Sequence, residues 1–206
     1  FKADSTNDDR RIKAAIKYRR DDPGTRGTGN LHFCVNGDNN DVNVSTAHTR
    51  MMLNTNGLHF NNDTAAANAL DDYEEGSFTP VISGSGGTSG QSYALQDGKY
   101  TKIGNIVYIT ALCELSAKGT ITGVVRMSGF PYLPTGSPLH IPFSNYIEYG
   151  ALTSGHTLRS TQYGANAFCY LYEHEQDANS AATQLTTSQI RDATRIGIMG
   201  FYQTTA

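Results

Sequence analysis

The sequence predicts an all-β chain: a short β shaft in which three copies intertwine, then an antiparallel, jelly-roll-like β-sandwich. Three observations carry this. Glycine is abundant, at 21 of 206 residues, Asn, Thr and Ser are common, and Leu- and Ala-rich helical runs are scarce. Hydrophobic residues make up 38% and charged residues 17%, which suits short strands joined by polar turns. Several apolar segments alternate with period two. The expected divisions are a shaft over 1–62, a junction with a short helical turn over 63–77, and a sandwich over 78–206.

The shaft begins with Ile12, Ala14, Ile16 and Tyr18, which alternate with Lys13, Ala15, Lys17 and Arg19. A strand fits this period; a helix also fits, because Ala14-Ala15 and the charges favour one. Leu31, Phe33 and Val35 alternate with His32 and Cys34 before the turn Asn36-Gly37-Asp38. Arg50 to Phe60 reads as strand, Asn-Gly turn, strand. Leu-His-Phe occurs at 31–33 and again at 58–60, an echo displaced by 27 residues. About 60 residues of such polar strands are marginal as a free monomeric domain. Three chains sharing one narrow core would solve that problem.

In the junction, Asn61 to Thr64 is turn-like. Ala65–Leu70 is expected to form a short helix capped by Asp63 or Thr64 and stopped before Gly76. In the sandwich, Phe78-Thr-Pro-Val-Ile82 is a first strand and Ser83–Gly90 a flexible loop. That loop lacks the Gly-Lys-Ser/Thr ending and following helix of a phosphate cradle. Lys99–Asn105 leads into Ile106–Leu115, the most apolar run, which reads as a strand buried on both sides. Further strands are expected at 123–129, 139–143, 146–152, 167–172 and 195–202, about eight in all, with one helical turn at 185–190. Phe168, Tyr170 and Tyr172 share one face of their strand.

The net charge of −3 implies no broad polyanion-binding surface, and no nucleic-acid partner is expected. Arg10, Arg11, Lys13, Lys17, Arg19 and Arg20 cluster near the start, but Asp4, Asp8, Asp9, Asp21 and Asp22 largely cancel their field. Residues 61–206 hold 7 Lys/Arg against 12 Asp/Glu, a balance of −5. Cys34, Cys113 and Cys169 are odd in number and lie in apolar stretches without metal spacing. No disulfide framework is expected, and the chain should fold in a reducing cytosol. No apolar run approaches the ~18–20 residues of a membrane span, so no membrane insertion is expected. The first residue is Phe1 rather than Met, which suggests a fragment.

The densest chemistry is the stretch Leu70, Asp71, Asp72, Tyr73, Glu74, Glu75 and, after Gly76-Ser77, Phe78. A glycosidase needs two carboxyl groups facing across a sugar at roughly 5–9 Å, one raised in pKa by an apolar pocket. Adjacent acids in a glycine-bounded junction do not supply that, and the spaced ligands of a calcium loop are missing. The expectation is a collar: Leu70, Tyr73 and Phe78 pack, and the acids face solvent or pair with Lys99, Lys102 or Arg126. The basic partner could also come from a neighbouring chain.

Six histidines form no HxH or HExxH arrangement, although His32 or His59 could meet its copies on a threefold axis. No nucleophile elbow appears, and no base stands beside a cysteine. No catalytic residue, cofactor or metal is therefore expected. Tyrosine is the informative residue, with 12 copies and no Trp. It offers a rigid face and a hydroxyl for sugars or proteins. Tyr132, Tyr146, Tyr149, His156, Arg159 and Tyr163 fall near expected turns and are the candidate contacts.

Two blocks, Ala69-Leu-Asp-Asp-Tyr-Glu-Glu-Gly-Ser-Phe-Thr-Pro-Val81 and Gly98-Lys-Tyr-Thr-Lys-Ile-Gly-Asn-Ile-Val-Tyr108, resemble the C-terminal regions of bacteriophage tail fibres and related virion fibres. There an LDDYEEGTFTP-like entry precedes a GxYTKIGNxV strand. Ser128-Gly-Phe-Pro131 is similar to the following turn, and Arg195–Tyr202 to the closing strand. Arg50–Phe60 is similar to shaft segments. The likeness spans roughly residues 50–206; the shaft is reduced and no autocleaving chaperone domain follows. It implies a homotrimer with a globular tip that touches a host glycan or outer-membrane protein. It also implies other virion tail proteins as partners, assembly in the host cytoplasm, and residence in the virion. A capsid-anchored fibre or baseplate element, a polysaccharide-depolymerising tailspike and a cellular trimeric adhesin are the rival readings.

Overall fold

The computed structural model describes residues 12–20, 29–38, 42–135, 140–175 and 181–205. Arg10, Arg11 and the aspartates at 4, 8, 9, 21 and 22 lie outside them, as does Leu139. Strand is the dominant regular structure of the described residues, with two single 3-10 turns and no α-helix among them. The chain divides into two compact units, Phe1–Asp71 and Asp72–Ala206.

The first unit is a four-stranded antiparallel meander. Its strands are β1 (Ala14–Arg20), β2 (Gly29–Val35), β3 (Thr49–Asn54) and β4 (Gly57–Phe60), paired in chain order. The ambiguous first segment is therefore a strand, in register along its whole length from Ala14↔Val35 to Arg20↔Gly29. Strand alternation sends His32, Cys34, Met52 and His59 to one face, where all four are buried. The segment carrying Val44 and the turn Thr46–His48 packs there, and the Lys17 ammonium donates to the Val44 carbonyl at 2.7 Å.

The other face takes Ile16, Tyr18, Leu31, Phe33, Met51, Leu53, Leu58 and Phe60. Register lines them up as Ile16–Phe33–Met51–Phe60 and Tyr18–Leu31–Leu53–Leu58. The Leu-His-Phe echo thus has a physical meaning: twice it puts Leu and Phe on one side of the sheet and His inside. The apolar side stays open, with Ile16 69% and Phe60 51% exposed.

The β3–β4 turn is Thr55-Asn56, and Gly57 opens β4 with φ +119°, where a Cβ would meet the Leu70 carbonyl at 2.9 Å. The expected helix at 65–70 is one 3-10 turn, Ala66–Asn68, capped by Ala65 without a side-chain bond. Asp63 instead accepts the Ala65 N–H and the Asn68 amide. Those bonds and the Leu58–Leu70 bridge hold the segment extended.

The second unit is one antiparallel sheet of ten strands, curled into a sandwich. Its strands are β5 (Tyr73–Phe78), β6 (Val81–Gly84), β7 (Ser92–Ile103), β8 (Ile106–Ala117), β9 (Val125–Ser128), β10 (His140–Glu148), β11 (His156–Tyr163), β12 (Phe168–Glu175), β13 (Thr183–Gln184) and β14 (Arg195–Gln203). The order is β5-β7-β8-β14-β10-β11-β12-β9-β6, with β13 beside β12. The sheet folds over at β10, whose first half (140–143) pairs β11 and whose second half (144–148) pairs β14. One strand thus belongs to both layers.

Between the layers lie Ile82, Val107, Ile109, Cys113, Leu115, Val125, Met127, Phe143, Cys169, Leu171, Ile196, Ile198 and Tyr202. Full burial of each such side chain contributes about 1.5–3 kcal/mol. Phe130 stacks on Tyr202 at 5.7 Å and meets Phe143 and Phe78 edge-on at 6.0 and 6.3 Å.

Several boundaries differ from the expected ones. Phe78–Ile82 is not one strand: Thr79-Pro80 separates β5 from β6, because proline has no N–H for the ladder. The strands expected at 139–143 and 146–152 are one, β10. Residues 185–190 form a β-bridge at Thr186 and a turn closed by Gln189 N–H to the Thr186 carbonyl at 3.2 Å, not a helical turn.

Candidate functional site

The acid-rich stretch sits mostly on β5, the edge strand beside β7. Leu70 and Asp71 close the first unit, and Asp72 opens the second. Antiparallel register places Glu74 opposite Lys102 and Gly76 opposite Tyr100. Because alternation turns Lys102 inward, its ammonium is desolvated, with only 5% of the side chain exposed, and Asp72 pairs with it. The Tyr100 hydroxyl donates to Glu74 at 2.6 Å, and the Tyr132 hydroxyl reaches the same carboxylate. The Tyr132 ring lies 5.5 Å edge-on from Tyr100 and 5.7 Å from the Lys102 ammonium. Tyr73 turns outward and donates to Glu75.

These contacts decide the electrostatics. The hydroxyls of Tyr100 and Tyr132 hold Glu74 below the usual carboxylate range. The same bond to Glu74 pushes the Tyr132 phenol up. A general acid of a glycosidase needs the opposite shift. The basic partner, Lys102, belongs to the same chain. Among the described residues no three His, Cys, Asp or Glu side chains come together as a metal site.

The other candidate contacts do not converge. Tyr132 belongs to the Glu74 cluster. Tyr146 lies on the outward face of the β7-β8-β14-β10 layer, its hydroxyl bonded to Glu148. Tyr149 is exposed at φ +54°, a left-handed conformation rare for a non-glycine residue. Its carbonyl accepts Arg191 Nε at 2.8 Å and Thr194 Oγ1 at 3.2 Å. His156 opens β11, with Nδ1 3.3 Å from the Ser154 carbonyl. Arg159 is exposed in the middle of β11, and Tyr163 ends that strand opposite His140.

The two layers present different outward faces. On the first, register aligns Thr101–Tyr108–Phe201, Lys99–Thr110–Met199–Ser144 and Asp97–Leu112–Gly197–Tyr146. Tyr108, Met199, Phe201 and Tyr146 are each about half exposed. Gly197 leaves the floor low, so a groove of about 310 Å³ runs between Leu112, Met199 and Tyr146. A second groove of about 250 Å³ lies by Tyr108 and Phe201. Arg195 closes the end of this face, 2.6 Å from Glu114 and 3.0 Å from Glu148.

On the second face, β12 presents Phe168, Tyr170 and Tyr172, with Arg126 of β9 on one side and Arg159 of β11 on the other. The Phe-x-Tyr-x-Tyr alternation was legible in sequence; the arginine brought beside it by β9 was not.

No family model matches the chain, and no curated protein matches it. Among solved structures, the Dettilon tailspike protein (gp208) is similar, with a TM-score of 0.50 and 18% identity over 66% of this chain. The chain spans about a quarter of that tailspike's length, 25%. The likeness is one of fold, and the chain shares an all-β architecture with part of a phage tailspike.

Proposed function

We propose that this chain is the distal part of a trimeric bacteriophage tail fibre that attaches, without catalysis, to a glycan or outer-membrane protein of the host surface. In this reading it is a virion component assembled in the host cytoplasm alongside other tail proteins. The observation that carries it is a pair of open apolar sheet faces, one in each unit. One bears Ile16, Tyr18, Leu53 and Phe60, the other Tyr108, Met199 and Phe201. Soluble monomers rarely leave such contiguous patches uncovered. Three copies around a threefold axis, each turning the same face toward the axis, cover these faces together. The tailspike-like fold and the sequence blocks of tail fibres support the same assignment.

A multivalent fibre turns modest contacts at each tip into avidity gains of roughly a hundredfold or more. The test is attachment of the labelled protein to a panel of bacterial strains. Saturable binding to some strains and not others, competed by unlabelled protein, supports adhesion; equal adherence to all strains and to bare plastic defeats it. The structural neighbour is a tailspike protein, and a second reading is a tailspike that cleaves polysaccharide. That reading predicts new reducing ends when the protein is incubated with capsule or lipopolysaccharide of a bound strain.

A further inference from the structure

We infer that the outward face of β9, β12 and β11 is a binding site for an acidic polysaccharide, one whose carboxylates are spaced along a sugar chain. The inference rests on the adhesion reading and names the ligand class of that adhesin.

Three aromatic rings form a ladder along β12. Phe168 meets Tyr170 edge-on at 5.2 Å, and Tyr170 lies 6.3 Å from Tyr172. The Arg126 guanidinium lies 4.3 Å from the Phe168 ring and 5.4 Å from the Tyr170 ring. Across β12, Arg159 stands opposite Tyr172. Strand spacing and rise put the two arginines about 12 Å apart at the backbone, diagonally across the ladder. Among the described residues neither guanidinium has an ion pair or a hydrogen bond. Among the described residues the nearby acids face elsewhere: Glu173 turns inward to Thr153 at 3.0 Å, and Glu175 ends the strand opposite His156.

Unmet polar atoms mark the same face. Arg126 Nε, Thr161 Oγ1 and His174 Nδ1 are out of water and have no partner. Thr161 lies directly across from Tyr170, and His174 two residues beyond Tyr172. A buried donor without an acceptor is costly, so native proteins rarely leave several on one face. The Arg126, Thr161 and His174 side chains are partly exposed, so a small shift of each would bring these atoms within reach of a ligand rich in oxygen acceptors. Planar rings stack against the apolar faces of sugars, and guanidinium forks match carboxylates in two parallel bonds.

Charge decides between acidic ligands. Residues 61–206 carry a balance of −5, and this face offers two unpaired arginines. A phosphodiester chain, charged at every link, needs many cations to offset that repulsion. A sparsely charged sugar chain needs only these two.

The test uses the full chain and fluorescently labelled hyaluronate and unsulfated chondroitin, acidic polysaccharides with a carboxylate on alternate sugars, with dextran and oligothymidylate as controls. Binding of at least one acidic polysaccharide, weakened by salt, is expected over dextran and oligothymidylate. Arg159→Gln and Arg126→Gln should each weaken it about tenfold, the loss of one charged hydrogen bond. Arg159 is exposed, so its substitution leaves the fold intact, as circular dichroism will verify. Equal binding of dextran, tighter binding of oligothymidylate, no binding of any acidic polysaccharide, or indifference to both substitutions overturns the site. Cell attachment that Arg159→Gln leaves unchanged overturns this site and spares the adhesion reading. Acidic-polysaccharide binding without attachment to any strain does the reverse.

Discussion

Replacing Leu53 and Phe60 together by serine tests whether the open face of the four-stranded sheet is covered by other copies of the chain. Leu53 is 50% exposed and Phe60 51%, so association has about half of each side chain left to bury. That half contributes about 1 kcal/mol per residue. The double substitution therefore removes about 2 kcal/mol per chain and about 6 kcal/mol per trimer. At 1.4 kcal/mol per tenfold, dissociation of the trimer rises about 10⁴-fold. Both side chains point away from the buried Cys34, His32, Met52 and His59, so the isolated chain should keep its fold. Sedimentation velocity over a dilution series is the assay, with far-ultraviolet circular dichroism as the control. The expected result is a folded species that dissociates at concentrations where the parent stays assembled. Parent and variant with the same mass at every concentration would refute the reasoning.

Further outcomes follow from the edge strand and the core. Asp72→Asn strands the Lys102 ammonium, 5% exposed, and should cost about 2–3 kcal/mol in urea unfolding, discounted because the Asp72 side chain is 33% exposed. Adding Lys102→Met to Asp72→Asn should restore part of that loss. Glu74 is held below its ordinary value of 4.5, so its contribution is full above pH 4.5 and lost as pH falls through the lower folded value. Glu74→Gln should flatten the acid limb of the stability profile; an unchanged limb would remove the Tyr100 and Tyr132 bonds from the account. Burial pushes the thiols of Cys113 and Cys169 up to about 12. At pH 8 iodoacetamide should label neither until the chain is unfolded.

Much of the second unit was legible because its central strands are long and apolar, but Ile106–Leu115 is not buried on both sides as expected: Val107, Ile109, Cys113 and Leu115 face the core, while Tyr108 is half exposed on the outward face. Ile106–Leu115 reads as a strand from its apolar content alone, and Gly104-Asn105 marks the hairpin before it. The last strand was legible as an element but not as a neighbour. Nothing in Arg195–Tyr202 says that it inserts between β8 and β10, since that order is set by the whole sheet. β11 was missed because His156–Tyr163 carries a single large aliphatic residue, Leu158, and pairs through its backbone. β5 is an edge strand with one covered face, so its carboxylates looked like a junction.

Lys102 was named among three possible partners of the acids, and only register selects it, by turning it inward opposite Glu74. The receptor candidates were chosen for residue type near expected turns. Packing separates them: Tyr132 is spent on Glu74, Tyr146 lies on an apolar face, and Arg159 stands beside the β12 ladder. Arg126 joins that ladder through β9, a long-range pairing that local pattern does not encode.

The central claim is that open apolar faces in each unit are covered by copies of the same chain. Native mass spectrometry of the protein at micromolar concentration tests it most directly. The account predicts a species of three times the chain mass of 22.3 kDa. A clean monomer at that concentration would contradict it.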